Sequence, residues 1–337
     1  MRFWSLFLLT FLLIFSGCTK AVKQIYLHGT TMGTTYNIKY LETEETLASE
    51  ELGAQISYLL EEISNQMSTY RKDSELSQFN QYQSNLPFRV SPQIVIVLRE
   101  AIRINHLTLG ALDITLGPLV NLWGFGPEAK FVDVPTSAEL KECQASIGIH
   151  HLNVTDLAIS KKLPGLYIDL SAIVKGWGVD VIANHMKSKG IQNYMVEIGG
   201  EMYLQGVNRK GVPWRIAVEK PTLDRRSIQK IIEPGNTAVA TSGDYRNYFE
   251  RDGIRYSHIL DPKTGKPITH TVVSVTVFDK SSMTADGLAT GLMVLGEIKG
   301  MEVANRHNIP VYMIVKTEDG FREVVSEAYK TFVKEIE

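Results

Sequence analysis

VVSVTVFDKSSMTADGLATGLMVLG, Val272–Gly296, is the stretch whose reading decides the architecture. Its opening run, Val272 to Phe278, is rich in β-branched residues and reads as a strand. The residues after it are small or apolar, and their pattern suits a helix beginning near Ser281. On such a helix Asp286 and Thr290 stand four apart and share a face. One carboxylate and one hydroxyl, stacked on an otherwise nearly neutral helix, are both hard oxygen donors of the kind magnesium takes. The competing reading is local, with Thr290 bonding its own backbone. Asp286 is expected to be partly exposed.

Outward from this unit, strand-like runs recur at Tyr194–Ile198, Met202–Leu204, Trp214–Val218, Thr237–Thr241, Arg255–Leu260 and Val311–Val315. Most are separated by Gly, Asn or Asp turn signals. Toward the N-terminus, Tyr36–Tyr40 alternates as a strand, and Thr46–Gln66 carries apolar residues at helical spacing. Ser91–Leu107 reads as a second helix with proline at its first position, and Ser171–Lys187 as a third. Clustered strands with a few long helices predict an α+β fold of mixed and antiparallel sheets, not a doubly wound parallel one. QFNQYQSN, Gln78–Asn85, reads as a surface loop.

The chain has 337 residues, 44% hydrophobic and 21% charged, with a formal net charge of -2, so a packed core is affordable and a nucleic-acid footprint is absent. ETEE, Glu42–Glu45, reads as a solvated helix start. Arg2 followed by SLFLLTFLLIFSG reads as an export signal, too short for a comfortable membrane span. It ends at Ser16-Gly17-Cys18, which resembles a bacterial lipobox, so Cys18 is the expected lipidation site. With Cys18 acylated, Cys143 has no disulfide partner, and no cysteine spacing suits structural zinc.

Two glycine-rich stretches are decoys. GFGPEA, Gly124–Ala129, follows a helix-like segment and carries Pro127 where a backbone donor is needed, so it is not a dinucleotide loop. GTTMGTT, Gly29–Thr35, lacks the lysine of a P-loop. Four other segments place polar groups beside small residues at element ends. TMGTTY, Thr31–Tyr36, allows close backbone approach or is simply a turn. In Gly110–Gly126 Asp113 is the lone charge and needs a partner or ligand. In YIDLSAIVKGWGVD, Tyr167–Asp180, Asp169 ends a strand before Ser171 as helix cap, and Lys175 either meets a phosphate or is solvated. RYSHILDPKTGKPI, Arg255–Ile268, carries His258, a core residue or a catalyst, and then a hairpin turn.

Together TMGTTY, MSTYRKDSELSQFN, ALDITLGPLVNLWGFG, IDLSAIVKGWGVD, EIGGEMYLQG, ATSGDYRNYF, SHILDPKTGKP and TADGLATGLMVLG resemble, in order and spacing, the FAD:protein FMN transferases, the ApbE-type flavin transferases. The resemblance spans about Tyr26 to Ala328. It implies a single catalytic unit of two packed lobes over 26–337, preceded by a signal peptide (1–17) and a tether (18–25). It implies FAD contacts at Met32, Tyr70, Ala111, Leu112, Asp113, Asp169, Lys175 and Ile259. It also implies Mg²⁺ held by Asp286, Thr290 and the backbone carbonyl of Ala172, with His258 or Asp286 taking the acceptor's proton.

The implied reaction moves FMN from FAD to a threonine or serine hydroxyl of another protein and releases AMP. Family acceptors carry D-G-x-T or S-G-x-T. Asp286–Thr290 here is DGLAT, one residue too long, so self-modification there is not predicted. The expected partners are FAD, acceptor subunits of membrane redox complexes, and a membrane held through the lipid. The expected location is the periplasmic side of a bacterial inner membrane. An FAD pyrophosphatase and a non-enzymatic flavin-binding lipoprotein are the alternatives.

Overall fold

The structure is a computed structural model that describes residues 23–43, 46–127, 133–220, 227–243, 248–251 and 254–336. The export signal and Cys18 lie outside the described residues, as do the last two residues of ETEE.

An eight-stranded sheet forms the centre. Its strands are β1 (Gln24–Thr31), β2 (Thr34–Leu41), β3 (Tyr194–Ile198), β4 (Glu201–Gln205), β5 (Thr237–Gly243), β6 (Val272–Asp279), β7 (Val311–Thr317) and β8 (Gly320–Val325). They lie in that order, each antiparallel to the next. The α+β expectation holds, and every ladder among the described residues is antiparallel. The helices enter as long insertions: α1 (Ser49–Met67), α2 (Pro92–Leu107) and α3 (Val174–Ser188) between β2 and β3, and α4 (Ser282–Arg306) between β6 and β7.

The unbroken apolar run of β6 follows from burial on both faces. Val275 and Val277 join a core with α2 and α4, whereas Val273 and Phe278 join a second core on the other face. That second core includes Trp214, Ile216, Val218 and Ile232 beneath a three-stranded sheet of Ile216–Lys220, Ser227–Glu233 and Lys334–Ile336. A third cluster packs Tyr36, Ile38 and Tyr40 of β2 against Leu52, Ile56 and Leu60 of α1 and against α3. Each fully buried Val, Leu, Ile or Phe contributes about 1.5–3 kcal/mol, so these layers make a stiff platform for α4.

Three sequence expectations are revised. Helix α3 starts at Val174 and not at Ser171, because Ser171 N–H donates to Asp169 Oδ1 at 2.9 Å in a turn that precedes the helix. The Tyr167–Asp169 segment is not a strand. Asn80 clips it instead, donating from Nδ2 to Ile168 O (2.9 Å) and accepting from Ile168 N (2.8 Å). Asn80 belongs to a helix, Glu75–Gln81, so about half of the expected QFNQYQSN loop is helical and partly buried.

Candidate active site

Helix α4 is placed by its neighbours before its own side chains act. Asp180 of α3 accepts from Ser281 Oγ (2.6 Å), Ser282 N (2.7 Å) and Met283 N (3.0 Å), satisfying donors that the first turn leaves open. Ser281 Oγ in turn accepts from Thr284 N as the N-cap. The two helices cross closely at Gly176, where a Cβ would stand 2.2 Å from the Ser282 carbonyl oxygen.

This crossing brings Asp286 to a cavity of about 400 Å³. Asp286 is 2% exposed, which corrects the expectation of a partly exposed carboxylate. Its Oδ2 accepts from Gly176 N at 3.0 Å, and its Oδ1 lies 3.4 Å from Lys175 Nζ. Lys175 Nζ also lies 3.3 Å from Oε1 of Glu201, a buried residue at the start of β4. The other oxygen, Glu201 Oε2, is buried with no hydrogen-bond partner.

Burial pushes both carboxylates up, Asp286 above the ordinary range and Glu201 to about 8, against the pull of Lys175. Burial alone would lower the Lys175 ammonium, but Asp286 and Glu201 outweigh it and hold the group above the ordinary lysine range. One ammonium is therefore shared between two buried carboxyl groups.

Thr290, one turn along α4, shares a hydrogen bond of 3.1 Å with Ser242 of β5, and both line the cavity. Ala111, Leu112 and Asp113 arrive on the loop after α2. Asp113 Oδ1 accepts from Thr115 N (2.8 Å) and Thr115 Oγ1 (2.6 Å), so the lone carboxylate has its partner nearby, while burial still raises its pKa. Asp169, Ala172 and Lys175 line the wall at the start of α3. Tyr70 stands at the rim, 69% exposed. His258 and Ile259 line the cavity as well, with the His258 ring edge-on to Phe125 at 6.2 Å between centroids.

Met32 alone among the expected flavin contacts does not line the cavity. It sits at the β1–β2 turn with φ 48° and packs toward Gly178 of α3, behind the wall. Glu201 and Ser242 were not singled out from sequence. Glu201 follows the paired glycines of EIGGE, and a carboxylate opening a strand after Gly-Gly was the available signal.

The donors gathered here are hard: the Asp286 carboxylate, the Thr290 hydroxyl and the unpartnered Glu201 oxygen, with Ala172 lining the same cavity. Among the described residues no group of three or more His, Cys, Asp or Glu is arranged to hold a metal. A cation at this wall would thus depend on a mixed donor set and on substrate oxygens.

Comparison with known proteins bears on the same chain. Residues 32–313 match the ApbE family. The FAD:protein FMN transferase of Vibrio cholerae is 62% identical over 99% of both chains, and that of Escherichia coli K12 is 40% identical over 97% of this chain and 96% of its own. The solved flavin transferase ApbE from Vibrio cholerae superposes with a TM-score of 0.87 over 92% of this chain and 99% of that one, at 62% identity. The apo flavinyl transferase ApbE of Pseudomonas stutzeri gives 0.86 at 39% identity, over 92% of this chain and 97% of that one.

Proposed function

This chain belongs to the ApbE family, and from that premise we infer that it is an FAD:protein FMN transferase, which moves FMN from FAD to a hydroxyl of an acceptor protein. The observation that carries the reading is convergence. Asp286 and Thr290, near the C-terminal end, share one cavity wall system with Tyr70, Asp113, Asp169 and Lys175 from much earlier in the chain. That mixture of cation, hard oxygens and an apolar flank suits a dinucleotide diphosphate better than a neutral solute.

The acceptor hydroxyl oxygen bonds to the phosphorus on the FMN side of the diphosphate. The bond from that phosphorus to the bridging oxygen breaks, and AMP leaves with that oxygen. The hydroxyl proton passes to His258. Histidine suits the role because side chains of its type exchange protons near neutral pH, whereas both Asp286 oxygens are already engaged by Gly176 and Lys175. Lys175 faces the cavity and stabilises charge on the phosphates, and positioning supplies most of the remaining barrier reduction.

The residues fit Mg²⁺, with Asp286, Thr290 and the Ala172 carbonyl as its holders and the orphaned Glu201 oxygen as evidence of a missing positive partner. When bound, Mg²⁺ neutralises diphosphate charge. The flavin is expected against Ala111, Leu112 and Ile259, with Tyr70 at the rim. Met32 supports the wall from behind.

The deciding experiment incubates the purified chain with FAD, Mg²⁺ and an acceptor peptide bearing D-G-x-T, with mass spectrometry of the products. An FMN-peptide adduct with stoichiometric AMP is expected. FMN and AMP without adduct would replace transfer by hydrolysis, and intact FAD would leave only binding.

Cys18 is proposed as a lipid anchor that holds the enzyme on the periplasmic side of the inner membrane, beside acceptor subunits of membrane redox complexes. Among the described residues no helix is long and apolar enough to cross a membrane. Cys18→Ser should move the protein from the membrane to the soluble fraction.

A further inference from the structure

Glu201 stands outside the expected site residues, yet it is the second anion of the cluster around Lys175. It is 3% exposed, it lines the cavity, and its Oε1 is as close to Lys175 Nζ (3.3 Å) as Asp286 Oδ1 is (3.4 Å). Its Oε2 has no partner. A buried carboxylate with one idle oxygen is costly unless a positive charge completes it.

The geometry of the ammonium makes the role specific. Lys175 Nζ sits on the oxygen side of Asp286, where it competes with any divalent cation that the same carboxylate would hold. Two like charges at such range repel strongly in a poorly hydrated wall. Glu201 offers the ammonium a second anion to lean on. It also offsets one of the positive charges that accumulate when a dication arrives.

We propose that Glu201 is a positioning residue for the divalent cation: it shares the Lys175 ammonium with Asp286 and supplies the counter-charge that lets cation and ammonium occupy one wall together. This rests on the reading of Asp286 as a cation ligand. In Glu201→Gln the ammonium has Asp286 as its only remaining anion in the cluster, so Mg²⁺ must displace it and meets more positive charge. Lys175→Met removes the competitor and leaves both carboxylates to the cation.

The test is calorimetric titration of Mg²⁺ into the FAD-free full chain at mildly alkaline pH, with far-UV circular dichroism to verify folding. Glu201→Gln should weaken Mg²⁺ binding about tenfold or more, the scale of one lost neighbouring charge. Lys175→Met should tighten it. The double variant should return within about threefold of the native chain, because the charge lost and the charge removed cancel. Unchanged Mg²⁺ affinity in Glu201→Gln, or weaker binding in Lys175→Met, overturns the proposal. If Glu201→Gln does not fold, Glu201→Asp replaces it: withdrawing the carboxylate by one methylene from Lys175 should weaken Mg²⁺ binding, and unchanged affinity overturns the proposal. Asp286→Asn separates the two layers of inference. If it binds Mg²⁺ normally, the cation reading itself falls. If it loses binding while Glu201→Gln keeps it, only the role of Glu201 falls.

Discussion

Gly176 donates its backbone N–H to Asp286 Oδ2 at 3.0 Å, across a helix crossing so close that a Cβ on Gly176 would lie 2.2 Å from the Ser282 carbonyl oxygen. The obstruction is backbone, which cannot rotate aside as a flexible side chain can. The missing side chain and the oriented carboxylate are therefore one feature: the glycine permits the approach, and the approach delivers the hydrogen bond.

Gly176→Ala should push α3 and α4 apart. Overpacking of this kind costs about 1–3 kcal/mol, visible as a lower urea midpoint. The loss of transfer should exceed what the unfolded fraction accounts for, because Asp286 loses its donor and its aim. A variant with native turnover would show that the crossing has slack.

Asp286→Ala should abolish AMP release and also destabilise the fold. The carboxylate is buried, and its removal strands the Gly176 N–H and half the support of Lys175. A loss of about 1–3 kcal/mol is expected for the unsatisfied donor. Asp286→Asn, which keeps the shape, should recover part of the stability and none of the turnover. Thermal melts paired with AMP assays distinguish the two effects.

Lys161 is 1% exposed, and its Nζ donates to the carbonyls of Phe79 (3.0 Å), Asn80 (3.1 Å) and Leu166 (3.3 Å). Burial lowers its pKa to about 8 from an ordinary 10.5. Between those values the unfolded chain binds more protons than the folded one, so this group's contribution makes stability rise with pH across that window. Lys161→Met should remove that rise. It should also cost about 1–3 kcal/mol, because buried carbonyls lose a donor. Chemical denaturation at several alkaline pH values checks both, and parallel pH profiles for the two proteins would refute the assignment.

Tyr70 offers the opposite test. At 69% exposed on the rim, its ring contributes little to the fold. Tyr70→Ala should leave stability within about 0.5 kcal/mol and raise the KM for FAD several-fold, with kcat less affected. An unchanged KM would remove Tyr70 from the flavin contacts.

Elements with a strong local signature were legible in advance. The β-branched run of β6, the helical spacing of α1 and the Ser91-Pro92 start of α2 each carry their conformation in neighbouring residues. The Asp286–Thr290 spacing was readable for the same reason, since one helical turn is a local relationship. Less legible was any element stabilised from a distance. The Tyr167–Asp169 segment has a strand's composition, but Asn80, some ninety residues earlier, takes its hydrogen bonds. Ser171 resembles a cap, but it is drawn into a turn with Asp169.

By itself, the sequence determined the class of fold and the Asp286–Thr290 spacing on α4, because these reside in periodicity and in spacings of a few residues, while its ordered motifs along the chain carried the resemblance to the family. Tertiary structure alone decided that Asp286 is buried, that Glu201 joins it through Lys175, and that Met32 stands behind the wall. Burial and charge pairing depend on which distant segments the sheet brings together, and no local pattern encodes the strength of an electric field made by the whole assembly.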